Sequence, residues 1–377
     1  MGGIQHSAAK VAVMIGQLAQ GGSEKQLYIF LEQCDRERWS PIVYVSRGPV
    51  GFWDGPIREL GIPVILLRDG PLARMMQFRR SCRVHRVQHF FSWAAHTNAY
   101  GLALWGLGIR CIGSFRNAYH VEVGAHGHTP LRWLRSWTSL AAVDTIVCNS
   151  PETAAAVRGR VGSGKRVVYV PNSVQPVENR AAHRRLWREH LGIQDHDVLV
   201  LGVGRLSVQK NFGRFVEAIA LARQAVPTRA VIAGRDDGCL ASLQQQAKLL
   251  GLGPDVIQFV GPVAKAQELM CAADIFMLSS DYEGMPNVVL EAMAAGVPCV
   301  CTRVNGVSEL IQSGANGFII DHRADALAGK VQLLALDRML RQDMGARAAD
   351  RIDGSFTPAA IAARLWQLLE ENEVSCI

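Results

Sequence analysis

The feature that most constrains this chain is an alternation. Short apolar runs at 10–15, 41–46, 63–67, 111–113, 145–148 and 167–170 are separated by stretches with helical spacing, such as 24–34 and 57–60. A chain that alternates in this way builds a parallel sheet with helices on both faces. A polar segment holding two prolines, PNSVQPVENR (171–180), interrupts the pattern, which then restarts. Apolar runs at 198–203, 229–233, 256–259, 275–278 and 298–302 alternate with helical stretches at 212–224, 239–250, 265–272 and 287–295. The expected fold class is therefore α/β, with two doubly wound, Rossmann-like parallel sheets joined near 175–180. A length of 377 residues fits that count at about 150 residues per domain. A last amphipathic stretch, 358–369, has no strand after it and must pack against something already built.

Composition removes several classes. Apolar residues make up 49% of the chain and charged residues 19%, which rules out a mostly disordered protein. The longest apolar stretch, around 99–109, falls short of the ~18–20 residues a spanning helix needs. The amino terminus lacks the long apolar core of a secretion signal. The expected location is cytoplasmic, with peripheral attachment to the inner face of a membrane left open. Nine cysteines without a CxxC pair fit a reducing compartment. The excess of 40 Lys and Arg over 33 Asp and Glu suits anionic ligands, and no recognition motif for nucleic acid accompanies it.

Ligands of open parallel sheets bind beyond the carboxyl ends of the strands. The loops to inspect are then 16–23, 91–98, 114–120, 204–211, 234–238 and 280–287. In SDYEGMPNVVLEAMAAG (280–296), Glu283 lies in the loop, Pro286 sits at an expected first helical position and Glu291 lies one turn into the helix. Gly284 lets backbone approach a ligand, and the amides of Met285, Asn287 and Val288 make the helix start an anion site. Two acids beside an anion site suit a nucleoside diphosphate sugar, with amides on phosphate and acids on hydroxyls. An ordinary helix start with two solvated acids fits the same spacing. In GRLSVQKN (204–211), Arg205 and Lys210 follow a buried strand, where they suit a diphosphate or are simply two surface cations.

Taken with their flanks, these loops make the chain resemble the large retaining glycosyltransferase family 4, which has the two-domain GT-B fold. The matching pieces are VGRLSVQKN (203–211), EGMPNVVLEAMAAGVPCV (283–300), NGVSELIQSGANGFII (305–320), GGSEKQL (21–27), HTN (96–98), SFRN (114–117) and VPNSV (170–174). The resemblance implies an acceptor-binding domain of 1–175 plus 358–377, with the last helix returning to it, and a donor-binding domain of 178–357 across a cleft. It implies that Arg205 and Lys210 grip the donor diphosphate, Glu291 holds the ribose and Glu283 contacts the donor sugar. Gly22 would face the phosphates from the opposite lobe. His96 would lie near donor sugar and acceptor, with Asn98, Arg116 and Asn117 on the acceptor side. Retention would follow, the leaving phosphate itself deprotonating the acceptor on the same face, with no obligate metal or other cofactor. The family often has a Gly-Asp-Gly turn where this chain reads AGRDDG (233–238), so the base stays open between uridine, which is favoured, and guanosine. The acceptor would be a glycan or lipid-linked molecule in cell-surface polysaccharide or glycolipid assembly. A nucleotide-sugar epimerase and a non-catalytic nucleotide-sugar-binding protein are the alternatives.

Other stretches of the sequence compete with this reading. GRVGSGKR (159–166) has P-loop letters, but a helix before it and a strand after it, the reverse of the required order. Gly202 and Gly204 belong to a dinucleotide fingerprint that Ser207 breaks. Asp195 and Asp197 precede a strand and read as a turn. His85 and His89 have no further ligands for a metal. RMMQFRRSCRVHR (74–86) and PLRWLRSW (130–137) carry arginines beside aromatic or apolar residues, which suits either an anionic membrane or a solvated face.

Overall fold

The structure, a computed structural model, describes residues 8–48, 51–118 and 137–371. The chain divides into two compact units, Met1–Ser173 with Pro358–Ile377, and Val174–Thr357.

The first unit holds a seven-stranded sheet in the order β3-β2-β1-β4-β5-β6-β7. Its strands are β1 Ala9–Ile15, β2 Trp39–Val45, β3 Val64–Leu66, β4 His89–Ser92, β5 Arg110–Phe115, β6 Thr145–Cys148 and β7 Arg166–Tyr169. All neighbours pair in parallel. β1 is buried without interruption from Val11 to Ile15, as expected of a strand covered on both faces. The second unit holds six parallel strands in the order β10-β9-β8-β11-β12-β13. These are β8 Leu199–Val203, β9 Arg229–Ala233, β10 Ile257–Gly261, β11 Ile275–Leu278, β12 Cys299–Thr302 and β13 Gly317–Ile320. In each sheet the chain runs outward from a central strand and then returns to its other side. The switch points lie between β1 and β4 and between β8 and β11.

Two strands are additional to the sequence expectation, β4 and β13. They read HFFS and GFII. Two helix starts also differ. The first helix runs Gly22–Glu32 with Gly21 at its cap and no capping side chain, so Ser23 lies inside the first turn, where its carbonyl accepts from Trp93 Nε1 at 2.9 Å. Pro286 is the cap residue of helix Asn287–Ala294 rather than its first helical residue. The apolar stretch near 99–109 is largely a 3-10 helix, Ala95–Leu104.

The terminal helix Pro358–Glu370 packs within the first unit. Trp366 stacks on Phe30 (ring centroids 4.3 Å apart) and on Trp39 (5.5 Å), while Ile361, Leu365 and Leu369 join the apolar layer of β1 and β2. Arg38–Glu370 and Arg166–Glu371 ion pairs close its far end.

Candidate functional site

In the second unit, the loops after β8, β9 and β11 interlock. Gly204 N donates to Ala233 O (2.9 Å) and Leu206 N to Arg235 O (2.8 Å), so β8 and β9 continue to pair beyond their ends. A Cβ at Gly234 would lie 1.7 Å from the Gly204 carbonyl oxygen, so only glycine allows this approach. A 3-10 turn, Val208–Lys210, leads to Asn211, whose left-handed backbone (φ 44°) an asparagine tolerates. The Asn211 side chain accepts from Arg214 N at 3.2 Å, capping helix Phe212–Ala222, and donates to Asp281. Arg214 reaches the same Asp281 at 2.7 Å and Ser279 O at 2.7 Å. The loop after β11 is thereby bolted to the loop after β8.

This framework brings Lys210 and Glu283 together, Nζ donating to Oε1 at 2.6 Å. Gln209 Nε2 donates to Tyr282 O at 3.0 Å and to Glu283 Oε2 at 3.4 Å. Glu283 and Glu291 are each only 7% exposed. That removes the reading of two solvated acids, because a buried carboxylate requires partners. Lys210, with its side chain 14% exposed, is not a surface cation either. Arg205 is half exposed and pairs with Asp237 at 2.8 Å. Asp237 is held below the usual carboxylate range by its hydrogen bond from Arg235 and by Arg205. Asp236 accepts the amides of Gly238, Cys239 and Leu240, which hold its pKa down in the same sense.

Gly284 and Met285 lead into helix Asn287–Ala294. The first amides of any helix have no intrahelical acceptor, so Asn287 and Val288 present N–H groups at its amino end. The Met285 side chain belongs to the apolar core. Gly306, at φ 74°, presses on this loop, and a Cβ there would lie 2.7 Å from Gly284 O.

In the first unit, the residues named from the sequence gather at the β1/β4 switch point. Gly22 is exposed at the start of its helix. His96 follows β4, and a Cβ at Gly16 would lie 2.3 Å from its Nε2, so the loops after β1 and β4 touch through a glycine. The ring is open to solvent on one side yet closely surrounded by protein; this crowding, with Arg47 second, pushes its pKa down to about 4. Arg116 lies 3.6 Å over the Trp93 ring and donates to Asn172 Oδ1 at 3.3 Å. Gln26 grips Ser173 through both its amide atoms, at 2.7 and 2.9 Å. The segments SFRN, GGSEKQL and VPNSV therefore meet. Asn117 is half-buried, its side chain accepting from Ala118 N at 2.9 Å.

Asn98 departs from its expected acceptor-side role. It is fully buried, and its side chain bonds Ser114 N (3.1 Å) and Ser139 Oγ (3.2 Å). It braces the end of β5 and touches no open surface. Sequence reasoning passed over Gln209, Asp237 and the Asn211–Asp281–Arg214 cluster, although the DDG turn at 236–238 was a visible signal for a capped anion-lined loop.

The competing motifs resolve structurally. GRVGSGKR runs from helix Pro151–Val161 through a 3-10 turn into β7, and Lys165 Nζ donates to the Leu140 and Ala141 carbonyls. The surface hollow beside it, lined by Trp137, Leu140 and Lys165, lies at the amino ends of β6 and β7, away from the ligand-binding ends. Asp197 closes a turn by accepting from Gln194 N at 2.9 Å. Apart from Trp137, segment 130–137 lies outside the described residues.

Comparison with known proteins agrees with this architecture. The family described as Glycosyltransferase Family 4 matches residues 20–178, and Glycosyl transferases group 1 matches 183–351. The chain belongs to glycosyltransferase family 4. The lipopolysaccharide core biosynthesis glycosyltransferase LpsE of Rhizobium meliloti is 28% identical over 60% of this chain and 64% of its own length. The N-acetyl-alpha-D-glucosaminyl L-malate synthase of Bacillus anthracis is 28% identical over 47% of this chain and 46% of its own. The chain spans about half the length of the curated relatives it matches. Anabaena HepE, solved with UDP-glucose, superposes with a TM-score of 0.83 at 20% identity, covering 96% of this chain and 99% of that one. The lipopolysaccharide glycosyltransferase WaaG gives 0.77 at 17%, covering 96% and 100%. These likenesses establish the fold as GT-B.

Proposed function

We propose that the protein is a retaining glycosyltransferase. It moves a sugar from a nucleotide diphosphate sugar, UDP-linked in preference to GDP-linked, to a glycan or lipid-linked acceptor in cell-surface polysaccharide or glycolipid assembly. The observation that carries this reading is the buried Lys210–Glu283 pair at the end of β8, beside the amino end of the helix that bears Glu291. Family membership and a structural neighbour solved with UDP and with UDP-glucose support the donor class.

Cleavage of the sugar–phosphate bond leaves growing negative charge on the diphosphate and an oxocarbenium-like sugar. Arg205, Lys210 and the helix amides would stabilise that charge without an obligate metal, each preorganised donor contributing ~3–4 kcal/mol. Glu283, held by Lys210 and Gln209, would take donor-sugar hydroxyls, and Glu291 the ribose. The departing phosphate would accept the acceptor's proton on the same face, with His96, Arg116 and Asn117 on the acceptor side. A thermal-shift panel of UDP, GDP and ADP sugars, followed by NMR assignment of the product anomer, tests this. A ligand at 100 times its dissociation constant stabilises by ~2.7 kcal/mol. No shift with any donor, an inverted anomer, or a new nucleotide sugar formed from donor alone would overturn the reading.

A peripheral contact with an anionic membrane belongs to the same proposal. Helix Pro71–Val84 has no acid, and its exposed Leu72, Met76, Arg80 and Arg83 follow one face at spacings of three and four. Trp105, 86% exposed, is tethered beside them by Arg79. Basic and apolar groups on one open face suit acidic headgroups over an acyl boundary. At eight free cysteines among the described residues, without a disulfide, the chain also suits a cytoplasmic setting. Failure to pellet with phosphatidylglycerol vesicles at low salt would end the membrane part alone.

A further inference from the structure

Beyond the donor site, the first unit carries a second concentration of positive charge that, His96 apart, none of the roles above uses. It lies at the carboxyl ends of β1 and β2. Ser46 follows β2, is nearly buried, and donates its amide to Ile15 O at 3.0 Å. Its carbonyl accepts from Arg74 Nη1, which arrives from helix Pro71–Val84. Arg47, the next residue, is exposed, and its amide donates to Gly16 O at 2.8 Å. Tyr100, from the 3-10 helix, brings its hydroxyl beside the Ser46 side chain. His96, four residues earlier, rests on Gly16.

Three facts show that this cluster is unbalanced. Among the described residues, neither Arg47 nor Arg74 has a carboxylate partner, whereas Arg205 and Arg214 in the second unit each have one. Arg74 Nε is buried with no acceptor. The charged groups acting on Tyr100 are Arg74 and Arg47, and the one acting on His96 is Arg47, with no acid opposing them. Buried N–H donors in proteins are paired, and an orphan calls for an unseen acceptor.

We infer that Arg47, Arg74, Tyr100 and His96 form a subsite for a phosphate group carried by the acceptor. The donors approach from three separate elements. That geometry suits a tetrahedral group with several oxygens better than a planar carboxylate, and guanidinium groups are the preferred partners of phosphate. The inference rests on the glycosyltransferase reading, because it assigns the phosphate to the acceptor; Arg47, Arg74 and Tyr100 are given no part in donor binding. An acceptor seated here would be a sugar or polyol phosphate, or a lipid-linked phosphate.

The test uses the full chain saturated with UDP, so that added phosphate has no access to the donor site. Calorimetry with inorganic phosphate and glycerol 3-phosphate forms one arm, and pelleting with phosphatidylcholine vesicles doped with phosphatidic acid forms the other. Arg47→Ala is the clean variant, since Arg47 is exposed and its backbone bond to Gly16 is kept. Tyr100→Phe removes only a hydroxyl and keeps the test open should Arg74→Gln unfold. Loss of one charge-assisted contact should weaken phosphate binding about tenfold, with UDP binding unchanged. Vesicle binding that falls in parallel identifies the lipid-borne form, and vesicle binding that persists while soluble phosphate is lost identifies the soluble form. Wild-type protein that binds UDP but no phosphate, or variants that bind phosphate as wild type does, would overturn the subsite. Failure to bind UDP at all would instead overturn the donor reading.

Discussion

Lys210 Nζ lies 2.6 Å from Glu283 Oε1, and both side chains are nearly closed off from solvent. The pair joins the loop after β8 to the loop after β11, across the switch point where a ligand of this sheet would sit. Removing one partner strands the other charge. Lys210→Met is therefore expected to cost about 3 kcal/mol of stability and, if Lys210 also grips the leaving diphosphate, about 10²–10³ in kcat. Denaturant unfolding and steady-state kinetics separate the two effects. The double variant Lys210→Met with Glu283→Leu should recover part of the stability and none of the activity.

Arg205 is half exposed and paired with Asp237. A screened pair of this kind contributes little to folding, ~0–1 kcal/mol. Arg205→Ala should leave Tm almost unchanged while lowering turnover at saturating donor by about 10²-fold. Unchanged turnover would remove Arg205 from the leaving-group role.

His96 supplies a pH dependence whose sign is set by its lowered pKa. The folded state keeps the ring neutral down to about 4, while the unfolded chain protonates near its ordinary 6.5. The unfolded state thus binds more protons between these values, and stability falls as pH drops through that window. His96→Gln should flatten the slope of unfolding free energy between pH 6.5 and 4 relative to wild type. An unaltered slope would show that the ring titrates normally.

Trp366, from the last helix, fills a recess between Phe30 and Trp39. Trp366→Ala should destabilise the first unit by about 3–5 kcal/mol, read by denaturant unfolding, and truncation before Pro358 should do at least as much.

Gly306 holds a left-handed backbone against Gly284 O. Gly306→Ala combines a strained φ with a 2.7 Å clash and should displace the 283–288 loop. Donor affinity is expected to drop more than tenfold, measured by calorimetry, with the unfolding midpoint moving far less.

Much of this architecture was readable in the linear chain. Alternating runs such as 10–15 and 198–203 announce buried parallel strands, because a strand covered on both faces is apolar throughout and its neighbours are reached through helices. Arg205, Lys210, Glu283 and Glu291 stood out because each lies within a few residues of a strand end or helix start, where local geometry already limits what a side chain can meet. β4 and β13 did not stand out, although the equally short β11 did.

What folding alone decided is who meets whom. Lys210 finds Glu283 across 73 residues, Gln26 finds Ser173 across 147, and Arg74 and Tyr100 reach Ser46 from two separate helices. Asn98 looked like a ligand contact beside His96 and turned out to be a buried brace. Propensity and periodicity act over a turn or a strand, so they are written in neighbouring letters. Burial, charge pairing and pKa depend on groups brought within a few ångströms by the whole packing, and no local stretch of the chain encodes them.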